Sequence, residues 1–168
     1  MDIDGVVADV RHRVRYLEQF PPDWMSFFAE AGLDPPLPVG LAHVHALVAE
    51  GYEVVWLTGR PEWLRDTTAS WLAEQGLPGG VLLMRPNGDR RPARRLKSSA
   101  VRALAEGRRV FNHVPAGPRH VVLVLDDDTS VVATLRAEGW PVEQADWVGL
   151  SMEGFQRLYQ AQEAEGRT

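Results

Sequence analysis

The chain is 168 residues long, 45% apolar and 24% charged, with a formal net charge of −5 and no cysteine. Those values describe an ordinary globular chain of one domain, residues 1–168, and exclude disulfides and thiolate zinc sites. The negative balance argues against a broad nucleic-acid-coating surface, though not against a local basic groove. No apolar run approaches the ~20 residues of a membrane span, and no signal-peptide pattern opens the sequence, so the expected address is cytoplasmic with no membrane partner.

In chain order, the sequence opens with an acidic cluster, Asp2, Asp4 and Asp9, with Gly5 between them. Residues 10–38 mix amphipathic helix with proline breaks and the aromatics Trp24, Phe27 and Phe28. They read as a small helical excursion beside the first strand's exit. A helical period over 40–50 is followed by an apolar strand at 53–57 (EVVWL) and a second helical stretch at 61–75. Pro61 is expected in that helix's first turn, where a missing N–H costs nothing.

Further strands are expected at 81–84 and 120–125, and a weaker edge strand starts at Val142. Helices are expected at 97–106, 129–138 and 151–163. Gly51, Gly76 and Gly139 each stand just past a helical stretch, where a C-terminal cap tolerates positive φ. Continuous apolar strands alternating with helices indicate an α/β fold with a mostly parallel sheet covered on both faces.

Three places combine reactive side chains with strand ends, where open α/β sheets bind ligands. Asp126, Asp127 and Asp128 follow the strand at 120–125 directly. Converging carboxylates need a hard cation such as Mg²⁺, although an acidic cap on the next helix explains the same residues. Thr58, Gly59 and Arg60 end the strand at 53–57 and offer a hydroxyl and N–H groups suited to phosphate; a plain strand-to-helix turn is the alternative. Lys97 is the single lysine among 18 basic residues.

Taken in order, DIDGVVAD, LTGR, one lysine and VLDDD resemble the four motifs of the haloacid dehalogenase (HAD) superfamily. The stretches RPNGDRRPARRLK and LDDDTSVVATLRAEGW look most like the 3′-phosphatase half of polynucleotide kinases. The resemblance implies a HAD-like Rossmannoid parallel sheet flanked by helices, with a small helical insertion after the first strand and no large cap. It implies a Mg²⁺-dependent phosphomonoesterase in which Asp2 attacks phosphorus and forms an aspartyl-phosphate. Asp4 would then protonate the leaving oxygen. Mg²⁺ would be held by the Asp2 carboxylate, the Asp4 backbone carbonyl and Asp127, with Asp126 in support. Thr58 and the N–H groups of Gly59 and Arg60 would bind phosphate oxygens, and Lys97 would balance the developing charge.

Two features depart from the family pattern. Only Met1 precedes Asp2, where a buried apolar strand is expected; either the natural start lies upstream or the central strand is short. Asp128 occupies a place where kinase-linked relatives carry a basic residue. The substrate is expected to be a nucleotide or nucleic-acid end, with a small phosphorylated metabolite as the alternative and a catalytically weak binding module as a third reading. The run Arg85, Arg90, Arg91, Arg94 and Arg95 is the best substrate clue, against the alternative of a solvated loop. The aromatics Trp24, Phe27 and Phe28 either stack on a base or pack the excursion. The five histidines show no metal-ligand spacing. No GxxxxGK[ST] phosphate loop occurs, so no kinase domain is expected in this sequence.

Overall fold

The computed structural model describes residues 1–148. The helix expected at 151–163 lies outside the described residues. The architecture is α/β, with four strands and five α-helices among the described residues: α1 (Trp24–Ala29), α2 (Pro38–Ala49), β1 (Val55–Pro61), α3 (Arg65–Glu74), β2 (Val81–Arg85), α4 (Ala93–Ala105), β3 (Val124–Asp126), α5 (Thr129–Ala137) and β4 (Val142–Gln144).

β1 and β2 pair in parallel, Val55 opposite Val81 and Leu57 opposite Leu83. β3 and β4 also pair in parallel, with Val124 opposite Val142 and Asp126 opposite Gln144. The N-terminal residues lie between these two pairs. Met1 N donates to Val55 O (2.9 Å), Leu57 N donates to Met1 O (2.8 Å), and Asp2 N donates to Leu125 O (2.9 Å). The backbone order is therefore β2, β1, residues 1–2, β3, β4, which places Asp2 in the centre. An apolar slot of about 250 Å³ continues from Met1 between 53–57 and 120–124, lined by Val54, Leu57, Val101, Leu104 and Val122.

That slot explains one difference from the sequence reading. The apolar run at 120–125 was expected to be strand throughout, but β3 begins only at Val124. Upstream of it the chain has slot, not strand, on its inner side, and extended backbone becomes a strand only where a neighbour completes the ladder. Two other boundaries move. Pro61 ends β1 and precedes a 3₁₀ turn, Glu62–Leu64, so α3 starts at Arg65. α4 begins at Ala93, a full turn earlier than expected, which puts Lys97 inside the helix. Gly51, Gly76 and Gly139 do sit just past α2, α3 and α5 with φ of 92°, 68° and 84°.

Residues 10–38 form 3₁₀ turns at Arg11–Leu17 and Ala31–Leu33 around α1. The excursion closes on its own root: Asp9 N donates to Pro35 O (2.8 Å) and Leu37 N to Val7 O (2.8 Å). Trp24, Phe27 and Phe28 are all buried and share a cluster with Val14, Leu64 and Met84. Packing, not base stacking, is therefore what these three rings do. Burying Phe27 and Phe28 contributes on the order of 2–3 kcal/mol each, the scale of a large apolar side chain taken from water.

Candidate active site

The acidic opening and the acidic run at the end of β3 meet. One carboxylate oxygen from each of Asp2, Asp126 and Asp127 lies within 4.8 Å of the others, and all three residues are buried. Backbone pairing explains why. Asp2 is fixed by its N–H on Leu125, and Asp126 follows Leu125 in β3. Gly5 brings the turn after Asp4 close enough to complete the cluster. Its φ is +72°, and an added Cβ would fall 1.9 Å from Asp127 Oδ2. Asp128 does not join the three. It caps α5, accepting from Ser130 N at 2.8 Å and Val131 N at 3.4 Å.

Lys97 reaches this cluster from α4. Its Nζ donates to Asp2 Oδ2 at 2.5 Å and to Asp126 Oδ2 at 2.6 Å, and the residue is 3% exposed. Burial alone would lower the pKa of a lysine. Here the charges of Asp126 and Asp2 outweigh burial and hold the ammonium above its usual value. The acids show the opposite imbalance. Burial, reinforced by Asp2 and Asp128, pushes Asp126 up to about 7 despite Lys97. Burial, then Asp2 and Asp126, likewise holds Asp127 well above the carboxylate range. One lysine does not neutralise three acids in so dry a place.

The remaining polar atom indicates what would. Asp2 Oδ1 is buried and has no hydrogen-bond partner. An orphaned carboxylate oxygen beside two further acids fits a hard, oxygen-loving cation such as Mg²⁺. Asp2, Asp126 and Asp127 are the side chains able to hold it.

Asp4 belongs to a second cluster. Its Oδ1 accepts from Arg13 Nη2 (2.9 Å), Arg60 Nε (2.9 Å) and Arg60 Nη2 (2.7 Å). Asp34 Oδ2 accepts from the same two Nη2 groups, each at 2.7 Å, and its Oδ1 accepts from Arg13 Nε at 2.7 Å. Two carboxylates and two guanidiniums thus form a buried, charge-balanced quartet, which is what makes their burial tolerable. Trp71 Nε1 anchors the Asp34 backbone carbonyl at 2.8 Å, and Arg13 lies over the Phe27 ring at 4.2 Å. The excursion therefore has a task at the site: it supplies Arg13 and Asp34.

The turn at the end of β1 has a mixed role. Thr58 is fully buried, and its Oγ1 accepts from Arg60 N at 3.1 Å. Arg60 Nε and Nη2 grip Asp4 and Asp34, so the side chain clamps the acid, while its Nη1 is buried without a hydrogen-bond partner. Sequence reasoning singled out Asp2, Asp4, Asp126, Asp127, Thr58, Gly59, Arg60 and Lys97. It missed Arg13 and Asp34. In a chain with 17 arginines no single one stands out, and Asp34 before Pro35 reads as an ordinary loop residue.

With Asp2 set between parallel strands and its carboxylate tied to a lone lysine, the class defined is that of the HAD-type phosphatases. The chain belongs to the Polynucleotide kinase PNKP phosphatase domain family, whose model matches residues 1–147. Among solved structures it is similar to a chain in the structure of the Pnkp1/Rnl/Hen1 complex, at 25% identity and a TM-score of 0.65, over 86% of this chain and 43% of that one. It is also similar to a chain in the Pnkp1/Rnl/Hen1 RNA repair complex, at 23% identity and a TM-score of 0.64, over 85% and 40%. That second likeness concerns the fold alone. The present chain spans less than half the length of either solved chain. No curated protein matches it. No helix of the described residues is long and apolar enough to cross a membrane.

Proposed function

We propose that this domain is a Mg²⁺-dependent phosphomonoesterase that removes a terminal phosphate, a 3′-phosphate in the first instance, from a nucleic-acid end. The observation that carries the reading is the state of Asp2: one carboxylate oxygen is held by Lys97, and the other is buried without a partner among acids. A carboxylate so fixed is oriented for attack and needs no reorganisation. Bound at Asp2, Asp126 and Asp127, Mg²⁺ would neutralise the acids and the incoming phosphate.

The residues then divide the work. Asp2 attacks phosphorus and carries the phosphoryl group as an aspartyl-phosphate, splitting one hard displacement into two easier ones. Lys97, placed between Asp2 and Asp126, balances the charge that gathers on the phosphoryl oxygens. Asp4, oriented by Arg13 and Arg60, enters the first step protonated, gives that proton to the leaving oxygen and regains one from the attacking water. The Thr58 turn donates hydrogen bonds to phosphate oxygens at the end of β1. Support for a nucleic-acid end comes from the family, a polynucleotide kinase phosphatase domain.

The test is a Mg²⁺-dependent turnover panel of 3′- and 5′-phosphorylated oligonucleotides, mononucleotides, sugar phosphates and an aryl phosphate. Preference for 3′-phosphorylated ends is expected. Preference for sugar phosphates would assign a metabolite phosphatase instead, and no turnover of any member would leave only a binding module.

A further inference from the structure

The basic run at 85–97 separates into arginines with internal duties and arginines without them. Arg85 is buried, and its Nη1 donates to the carbonyls of Asp89 (3.0 Å) and Arg91 (2.7 Å), bracing the loop from inside. Arg91 closes onto the Asp89 carboxylate at 2.6 Å. Arg90, between these two, is exposed and makes no ion pair or side-chain hydrogen bond with any described residue. A cation that the fold does not use is available to a ligand.

The same loop is fastened to an exposed ring. Trp63 follows the Thr58–Arg60 turn, and its backbone N–H donates to Asn87 Oδ1 at 3.1 Å. The residue is 48% exposed. Its ring stands edge-on to Phe28, with centroids 6.5 Å apart and planes at 89°. Phe28 in turn packs against Phe27 and Trp24, so Trp63 is the outer member of an aromatic pile whose inner rings are buried. Trp63 is three positions after Arg60, whose guanidinium grips Asp4, so the two Cα atoms are at most about 11 Å apart. A rigid, solvent-facing indole at that distance loses little freedom when something flat stacks on it.

We propose that Trp63 and Arg90 form a nucleotide subsite beside the catalytic carboxylates. The indole stacks on the terminal base of a single-stranded end, and Arg90 takes the next backbone phosphate. This rests on the nucleic-acid reading given above and adds to it the part of the substrate that is held. Stacking is indifferent to base identity, since every base has a π-face, and the phosphate contact is indifferent to sequence. The subsite therefore makes the domain selective for a nucleic-acid strand and unselective among sequences.

The experiment measures kinetics of the wild type, Trp63→Ala, Trp63→Phe and Arg90→Gln on three substrates. These are an aryl phosphate, a mononucleotide 3′-phosphate and a short single-stranded oligonucleotide with a 3′-phosphate. Trp63→Ala is expected to raise KM at least about fivefold, equivalent to ~1 kcal/mol, on both nucleotide substrates, with Trp63→Phe restoring most of it. Arg90→Gln is expected to weaken the oligonucleotide alone and to flatten the salt dependence of its KM. Arg90→Gln should match the wild type on the aryl phosphate, which has no second phosphate.

Variants that match the wild type on the oligonucleotide would overturn the subsite while leaving the nucleic-acid reading intact. Equal losses on all three substrates would overturn it too, because they mark a folding effect. A wild type that turns over the aryl phosphate but no nucleotide would remove the nucleic-acid reading itself, and the subsite with it.

Discussion

The carboxylates of Asp4 and Asp34 share the same two guanidinium groups, with Arg13 Nη2 and Arg60 Nη2 each bonded to both acids. Asp34 is thus the fixed point from which the two arginines reach Asp4. Asp34→Asn would leave two buried cations facing one anion, a change of about 3–5 kcal/mol where one partner of a buried pair is removed. A loss of that size in urea unfolding is expected. Among enzyme that remains folded, turnover should fall more for alkyl phosphates than for aryl phosphates, because only the poor leaving group depends on the acid that Asp34 helps to orient. Equal losses on both would reduce Asp34 to a structural residue.

Lys97 is buried, bonded to Asp2 at 2.5 Å and to Asp126 at 2.6 Å. A compact ammonium fits there, and a planar guanidinium is broader and fixed in its fork. Lys97→Arg is expected to cut kcat at least about tenfold, or ~1.4 kcal/mol, despite the retained charge. Arg102→Lys is the control on the same helix: Arg102 is exposed and meets Glu138 at 3.3 Å, and its change should be nearly silent. Matched rates for wild type and Lys97→Arg at saturating magnesium would make Lys97 a bystander.

Asp2→Asn keeps the side-chain size and removes the attacking oxygen's charge. Turnover should fall below detection while the circular dichroism spectrum is unchanged. Near-normal activity with magnesium would falsify the covalent route.

Gly5 is the position where one methyl group reaches the acid cluster. Its φ is +72°, and the Cβ of an alanine would sit 1.9 Å from Asp127 Oδ2. Gly5→Ala must displace Asp127 or the turn, so the thermal shift produced by magnesium should shrink with it. An unchanged shift, measured by calorimetry of both proteins, would exclude Asp127 from the metal.

The acids also give a pH signature. Asp126 is raised from 3.8 to about 7 by burial and by its acidic neighbours, and Asp127 is raised for the same reasons. The sign follows from which state holds the proton. A carboxyl raised in the folded state contributes stability below about 4 that is lost as pH climbs to about 7. Magnesium bound at these acids would replace those protons, so the rise in Tm it causes should grow across the same interval and level off above it. A magnesium shift independent of pH between about 4 and 7 would show that the metal does not compete with these protons.

Much of this arrangement is legible in the sequence because it is local. Acids at strand ends and a lone lysine are visible residue by residue, and the glycines past α2, α3 and α5 mark helix ends through a backbone conformation that favours glycine. The quartet is not local. Asp4 meets Arg60 across 56 positions and Arg13 meets Asp34 across 21, and no spacing rule links them. The premature expectation of strand at 120–123 failed for a related reason. A strand needs a neighbour as well as apolar side chains, and without one Val122 is 47% exposed; neighbours are a property of the assembled sheet.

Met1 and Asp2 carry the three backbone hydrogen bonds that tie β1 to β3, with the apolar slot opening directly behind Met1. The sheet's seam and the carboxylate proposed to attack phosphorus are therefore the same short piece of chain.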